Sequence, residues 1–262
     1  MTAPFGRRAA AVIARETHGA YVVIRAQDPA ASVPRPGQFY MLASAERWGG
    51  GEGERPFLPR AFSVLRASHG ELHFLIEDVG PGTNRLCELG PGEELLLVGP
   101  LGNGFTAPRD GRKPLLVGGG VGIAPLAIWQ DELEPQAPAL LGFRDAAHAA
   151  GAGLLSRATV ATDDGSIGHH GLVTELLEDE LDERGEALEV YACGPPAMLE
   201  AVRAACVRRE VPAQLALESG MACGFGACFG CVVPTVDGYV RLCVDGPVLE
   251  AGRLGTALAL AG

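Results

Sequence analysis

Glu218-Ser-Gly-Met-Ala-Cys223-Gly-Phe-Gly-Ala-Cys228-Phe-Gly-Cys231, closed by Cys243, decides how the chain is read. The spacing, C-x4-C-x2-C-x11-C, is the plant-type pattern that holds a [2Fe–2S] cluster through four thiolates. Gly224, Gly226, Ala227 and Gly230 lie between the cysteines. Residues without bulk let a tight loop turn its backbone N–H groups inward, toward cluster sulfurs. Zinc and disulfides are the rival readings. Zinc usually takes two separated C-x2-C pairs, and only Cys228 and Cys231 form one. The same spacing logic argues against disulfides. Cys87, Cys193 and Cys206 are left over, each read as a small buried hydrophobe.

The rest of the chain supplies what such a cluster needs around it. At 262 residues it is long enough for one large domain or two to three small ones. A hydrophobic share of 47% and a charged share of 20% suit a globular protein. The net charge of −11 speaks against nucleic acid as a partner. No run of about 18 apolar residues exists, so no membrane span is expected. Met1 to Glu16 carries no signal-peptide pattern. A cytoplasmic setting follows as the expectation, and it would keep thiols reduced for metal binding.

Residues 9–16, 20–26, 38–44, 60–66, 72–79 and 94–99 read as short strands broken by Gly and Pro turns, as in an antiparallel barrel. The Gly-rich stretch Trp48 to Glu54 reads as a mobile surface loop. Then the pattern changes. Lys113 to Val117 is a short apolar run, followed by Gly118-Gly-Gly-Val-Gly122 and a helix with Pro125 in its first turn. Further strands at 137–142, 158–162, 188–192 and 214–218 alternate with helices at 170–183 and 195–209, which predicts a parallel-sheet α/β domain. Short strands with a turn at Asp237-Gly238 end the chain.

Several motifs sit on this frame. Arg60-Ala61-Phe62-Ser63, on a strand, combines a phosphate-binding cation, an aromatic cover and a hydroxyl, though such a tetrapeptide is also ordinary strand sequence. Gly80-Pro-Gly82-Thr83 opens a helix, where free N–H groups suit a pyrophosphate or merely form a cap. Gly118 to Gly122 departs from the G-x-G-x-x-G fingerprint, so it is either a phosphate loop or a plain tight turn. Cys193-Gly-Pro195 and Asp163-Asp164-Gly165 lie at strand ends where α/β sheets bind ligands. His169-His170 is read as solvated at a helix start, with no metal. Taken in order, these sites describe a converter. A nicotinamide gives two electrons as hydride, a flavin accepts two and releases one at a time, and an iron–sulfur cluster carries one.

Over nearly its whole length the chain resembles the ferredoxin reductase-like flavoproteins. Within them it is most similar to the electron-transfer subunits of NAD-dependent dihydroorotate dehydrogenases of pyrimidine biosynthesis. The block from Leu217 to Cys231, with Cys243-Val-Asp-Gly-Pro247, carries most of the likeness. Pro36-Gly-Gln-Phe39, Ala161 to Ser166 and Tyr191-Ala-Cys-Gly-Pro195 add to it. The resemblance implies a multi-domain β plus α/β fold. An FAD-binding β-barrel would cover 1–108, an NAD-binding α/β domain 109–217, and a small [2Fe–2S] module 218–262. It implies FAD contacts from Arg60, Ala61, Phe62, Ser63, Leu75, Ile76, Glu77, Gly82 and Thr83. Gly119, Gly120 and Cys193 would border the nicotinamide nucleotide, and Cys223, Cys228, Cys231 and Cys243 would ligate the cluster. No catalytic residue is implied for this chain. The substrate chemistry would belong to a partner subunit carrying FMN, in a heterotetramer of two of each. Phe225 and Phe229 are the candidate docking rim.

The chain departs from the family at Arg60-Ala61, where Arg-Pro is usual, at Glu77, where a basic residue is common, and in a longer 45–58 loop. Related subunits also serve transhydrogenase, hydrogenase and sulfide-reducing complexes. In the transhydrogenase type the first cluster ligand is typically aspartate, whereas here it is Cys223. A third reading is a non-catalytic iron–sulfur or zinc module with decayed nucleotide sites, against which the glycine loops and Arg60/Ser63 speak. For the nucleotide, Asp145 disfavours a 2′-phosphate while Arg144 favours one, and NAD is the expectation.

Overall fold

The computed structural model of the chain describes residues 6–30, 32–49 and 56–258. Six strands close into an antiparallel barrel: β1 (Arg8–His18), β2 (Tyr21–Gln27), β3 (Phe39–Ser44), β4 (Arg60–Ser68), β5 (Glu71–Glu77) and, after the short helix α1 (Pro81–Cys87), β6 (Glu94–Leu101). Their order around the barrel is β1-β2-β5-β4-β3-β6. Strand alternation explains the filling. Ile24, Tyr40, Leu42, Phe74 and Leu97 pack inside. β3 is buried along its entire length because its outer face is covered as well. Phe39 and Met41 point out of the barrel into a second core that also holds Cys231, Leu242 and Cys243.

The second layer set begins at β7 (Lys113–Gly119). It continues through α2 (Ile123–Glu132), β8 (Ala139–Phe143), α3 (Ala146–Ala149), β9 (Ala158–Thr162), β10 (His169–His170), α4 (Val173–Arg184), β11 (Leu188–Cys193), α5 (Pro196–Arg208) and β12 (Ala213–Ala216). The sheet order is β10-β9-β8-β7-β11-β12, all parallel. Leu115 and Val117 face the core under α4 and α5, and Leu116 faces the core under α2 and α3. Helices on both faces account for the unbroken apolar run that marks β7 in the sequence. The strand order reverses between β7 and β11, which opens a crevice at the carboxyl ends of the strands.

Past β12 the cysteine loop runs into a hairpin, β13 (Val232–Thr235) and β14 (Gly238–Arg241), then α6 (Leu242–Asp245) and β15 (Val248–Glu250). β15 adds antiparallel to β12 as the seventh strand of the sheet. The C-terminal segment therefore shares a core with the sheet and is not a bead on a linker. His169 and His170 differ from the helix start read from the sequence. They form a two-residue strand beside Ala161 and Thr162, and His169 Nε2 lies 2.6 Å from Glu175 Oε2. The expected mobile loop at 48–54 falls largely outside the described residues. Among the described residues no helix is long and apolar enough to cross a membrane.

One contact ties the C-terminal segment to α5. Glu200 accepts hydrogen bonds from Arg203 (Nη2, 2.6 Å), the Ala257 amide (2.6 Å) and the Thr256 hydroxyl (3.1 Å). Arg203 beside it holds the carboxyl down at about 2, against an ordinary 4.5. A depressed carboxyl stabilises the fold above its ordinary value and loses that contribution as pH falls toward 2. Glu200→Gln is therefore expected to cost about 1 kcal/mol at pH 7, discounted for screening. Thermal unfolding should show it as a Tm lower by roughly 2–4 °C.

Candidate functional site

Three groups of residues meet along the seam between barrel and sheet. The first is the cysteine loop. All seven cysteines are free. The four of the loop fall into two pairs. Cys231 and Cys243 are 2% exposed, with their sulfurs 3.2 Å apart. Cys223 and Cys228 lie within hydrogen-bonding reach of each other. Burial would raise the Cys223 thiol, but backbone N–H groups of Phe225, Cys228 and Ala227 aim at its sulfur and bring it down to about 6. Burial and the neighbouring Cys231 sulfur push the Cys243 thiol up to about 12.

Among the described residues no three His, Cys, Asp or Glu side chains converge as a single metal ion requires. A two-iron cluster asks for something else, two thiolates per iron, and two pairs is what the loop presents. The inward N–H groups complete the fit. Gly224 and Gly226 reach this turn with φ of +80° and +87°. A Cβ on Gly224 would stand 2.5 Å from Met41 Cγ, so the loop lies directly on the outer face of β3. Arg241 braces it by donating to the Gly226 carbonyl at 3.1 Å. Phe225 and Phe229 are 45% and 61% exposed, so neither ring packs inward. The Arg241 guanidinium covers the Phe229 ring at 5.2 Å.

The second group lies at the start of β4 and the first turn of α1. A Cβ on Gly82 would meet Arg60 Nε at 2.8 Å and its Cζ at 3.0 Å. The missing side chain lets the guanidinium settle directly onto the first turn of α1. Arg60 is steadied by donating to the Leu58 carbonyl at 2.6 Å and by the Trp48 ring at 5.9 Å. The Thr83 hydroxyl accepts from the Val79 amide and donates to the Gly80 carbonyl, each at 2.9 Å. Ala61, Phe62 and Ser63 continue β4, opposite Met41, Tyr40 and Phe39 of β3. Leu75 and Ile76 are each 1% exposed and sit in core clusters, so neither side chain is free to line a ligand. Glu77 turns its carboxylate toward the sheet domain, 2.7 Å from Arg144 Nη2.

The third group surrounds a cavity of about 410 Å³ at the carboxyl ends of β7, β8, β9 and β11. Gly119 and Gly120 line it. Cys193 does not. It is 1% exposed and lies under Gly122, while Pro195 and Met198 form the wall. Tyr21, Arg144, His148 and Asp163 complete the rim, and sequence reading had given Tyr21 and His148 no role. Tyr21 comes from the barrel. Its ring meets His148 edge-on at 5.6 Å, and its buried hydroxyl has no hydrogen-bond partner among the described residues. Burial first, then the Glu77 charge, raise that hydroxyl above its ordinary range. No local motif marks a lone tyrosine 97 residues before the glycine loop it faces.

A closed antiparallel barrel, a parallel sheet with a crevice at its switch point, and paired cysteines on the seam define a ferredoxin reductase-like oxidoreductase with an iron–sulfur module. A solved structure of an NADH-dependent reduced ferredoxin-NADP oxidoreductase superposes with a TM-score of 0.79 at 26% identity, covering 96% of this chain and 91% of that one. At the level of fold, a ferredoxin NADP+ reductase from Neisseria gonorrhoeae is also similar, with TM-score 0.62 and 19% identity over 78% of this chain and 91% of that one. Residues 218–255 match the family described as the iron–sulfur cluster binding domain of dihydroorotate dehydrogenase B. The dihydroorotate dehydrogenase B (NAD(+)) electron transfer subunit of Caldanaerobacter subterraneus is 38% identical over 83% of this chain and 86% of its own length. That of Clostridium acetobutylicum is 35% identical over 84% and 86%. The chain belongs to this family of dihydroorotate dehydrogenase B electron transfer subunits.

Proposed function

We propose that the chain carries electrons from a catalytic dihydroorotate dehydrogenase subunit to NAD+. The observation that carries the reading is the sorting of four free cysteines into two pairs on the seam between barrel and sheet. Bound FAD, a [2Fe–2S] cluster and NAD supply exchange between hydride transfer and single-electron steps. The chain's own residues hold and orient them. Cys223, Cys228, Cys231 and Cys243 hold the cluster, and burial of the last two keeps water from it. Arg60, Gly82 and Thr83 cradle the FAD pyrophosphate. Ala61, Phe62 and Ser63 carry its ring along β4, with Leu75, Ile76 and Glu77 beside it. Gly119 and Gly120 floor the nicotinamide nucleotide cavity, with Cys193 beneath its inner end.

The segments 1–108, 109–217 and 218–262 serve as FAD, NAD and cluster units, although β15 joins the last two physically. The partner is an FMN-carrying catalytic subunit, two of each chain making the complex. It docks on the exposed rim that includes Phe225 and Phe229. Seven free cysteines suit a reducing cytoplasm.

Anaerobic purification should give a protein with flavin bands and additional cluster absorption, both bleached by NADH. A colourless, zinc-containing protein would sink the electron-transfer reading. Flavin without cluster would reduce it to a simple reductase. A narrower prediction concerns Arg60. A hydrogen bond to a charged group contributes about 1.5–3 kcal/mol. Arg60→Ala is therefore expected to weaken FAD binding by roughly 10- to 150-fold. Fluorescence titration of the deflavinated protein measures it, and an unchanged affinity would remove Arg60 from the flavin site.

A further inference from the structure

Arg241 closes β14 and reaches back to the cysteine loop. Its side chain is 35% exposed, and its Nη1 donates to the Gly226 carbonyl at 3.1 Å. The surroundings hold the guanidinium in place. The Phe229 ring lies 5.2 Å from Cζ, and a Cβ on Gly226 would stand 3.2 Å from Nη1. The Arg241 amide donates to Asp245 Oδ2 at 2.8 Å, which ties the backbone of the arginine to α6. The same carboxylate oxygen is 3.8 Å from Arg241 Nε, so it pairs with the guanidinium only loosely.

The carbonyl that Arg241 holds belongs to the peptide joining Gly226 to Ala227. A peptide unit is planar and trans, so its C=O and N–H point to opposite sides. Fixing the Gly226 oxygen on the Arg241 side turns the Ala227 N–H the other way, and that N–H aims at the Cys223 sulfur. The Gly226 N–H, one peptide earlier, aims at the Cys243 sulfur. Gly226 links the two peptides at φ +87°, a backbone that favours glycine. One side-chain hydrogen bond thus steadies amides that face one sulfur of each cysteine pair.

We infer that Arg241 is a positioning residue that raises the reduction potential of the cysteine site, by holding the Gly226–Ala227 peptide with its N–H turned to sulfur. This rests on the proposal above that the four cysteines hold a [2Fe–2S] cluster. Reduction adds one electron, and so one negative charge, among the thiolates. Amide dipoles aimed at sulfur favour that charge, because cluster potentials follow net charge, exposure and hydrogen bonds to the sulfurs. The guanidinium adds its own positive charge in the same direction. Its larger effect works through the peptide it holds, which is what separates a positioning residue from a nearby charge.

The test reads potentials and hydrogen bonds, not turnover. In the anaerobically purified holoprotein, an EPR-monitored redox titration gives the cluster potential. The shift of the Fe–S resonance Raman bands in D2O reports N–H···S bonding. Arg241→Met keeps an unbranched stem and removes both donor and charge. It should lower the cluster potential by about 59 mV, a tenfold change in the equilibrium constant for one electron. The D2O shift should shrink with it. The flavin potential should stay in place, since the flavin contacts proposed for β4 and α1 do not include Arg241. Arg241→Lys can still donate to the Gly226 carbonyl and should stay close to wild type in both readouts. Where Arg241→Met takes up no iron, Arg241→Gln, whose shorter side chain stops short of the carbonyl, is read in its place. An unmoved cluster potential overturns the inference. A lowered potential with an undiminished D2O shift overturns it as well, because the arginine would then act only as a charge. Wild-type protein without cluster absorption strikes the underlying site assignment instead.

Discussion

A Cys231→Ser chain is expected to lose the cluster's visible absorption and the EPR signal of its reduced form, while its flavin still bleaches with NADH. Cys231 is 2% exposed and lies 3.2 Å from Cys243, inside the core shared by β3, the sheet and the cysteine loop. Iron in a cluster takes soft thiolate, and a hydroxyl is a poor substitute. The core leaves no space for another side chain to approach, since Leu242 and Phe39 are already packed there. The flavin contacts proposed for β4 and the first turn of α1 include no cysteine, so NADH reduction of flavin should persist. Delivery of single electrons to or from the catalytic partner should fall on the order of 100-fold or more. Cys206→Ser is the matched control. Cys206 is equally buried, but on α5 and away from the loop, so that change should lower stability and spare the spectrum. Full cluster content in Cys231→Ser would withdraw this residue from the ligand set.

That the cysteine loop was legible in the sequence has a simple cause. Its ligand spacing is local, and small residues between thiols are what inward-turned amides require. β7 and its glycine turn were legible for the same reason, because a strand buried on both faces writes a continuous apolar run. The pairing of β15 with β12 was not legible. Three residues, Val248–Glu250, carry no periodicity, and only the closed geometry of the C-terminal segment brings them to the sheet edge. His169 and His170 failed as a helix start because the helical pattern begins only at Val173, and backbone pairing with β9 claimed the two residues first. The cavity rim was the least visible feature. Tyr21 is a barrel residue, while Arg144 follows β8 and His148 sits on α3. Nothing in either stretch announces the other. Their meeting follows from the docking of the β1–β2 turn on α3, where the Ala20 amide donates to the Ala147 carbonyl at 3.0 Å.

Two of the glycines around the β7–α2 turn, Gly122 and Gly119, should fail in different ways when each is replaced by alanine. Gly122 has an ordinary helical backbone, φ −61° and ψ −8°, so its constraint is space and not conformation. A Cβ there would stand 2.6 Å from the Cys193 carbonyl carbon and 2.6 Å from the Gly194 nitrogen. Both are backbone atoms at the end of β11, which is held by Val117 and Leu215 of its neighbours and moves only if the sheet moves. Overpacking against backbone costs about 3 kcal/mol, so Gly122→Ala should lower the Tm of the holoprotein by roughly 6–12 °C. At Gly119 the neighbours are Met198 Sδ at 2.7 Å and Pro195 Cδ at 2.9 Å. The Met198 thioether is unbranched and can swing aside while the Pro195 ring must shift slightly, so Gly119→Ala should lower the Tm by clearly less than Gly122→Ala does. It swings into the cavity, however, and the loss should appear in KM for NADH, with kcat for a bound nucleotide largely kept. Thermal unfolding and NADH kinetics on the two variants separate the roles. Equal Tm losses would mean that the turn is only a packing joint. Equal KM losses with no change in Tm would mean that the sheet yields at β11 far more readily than its contacts indicate.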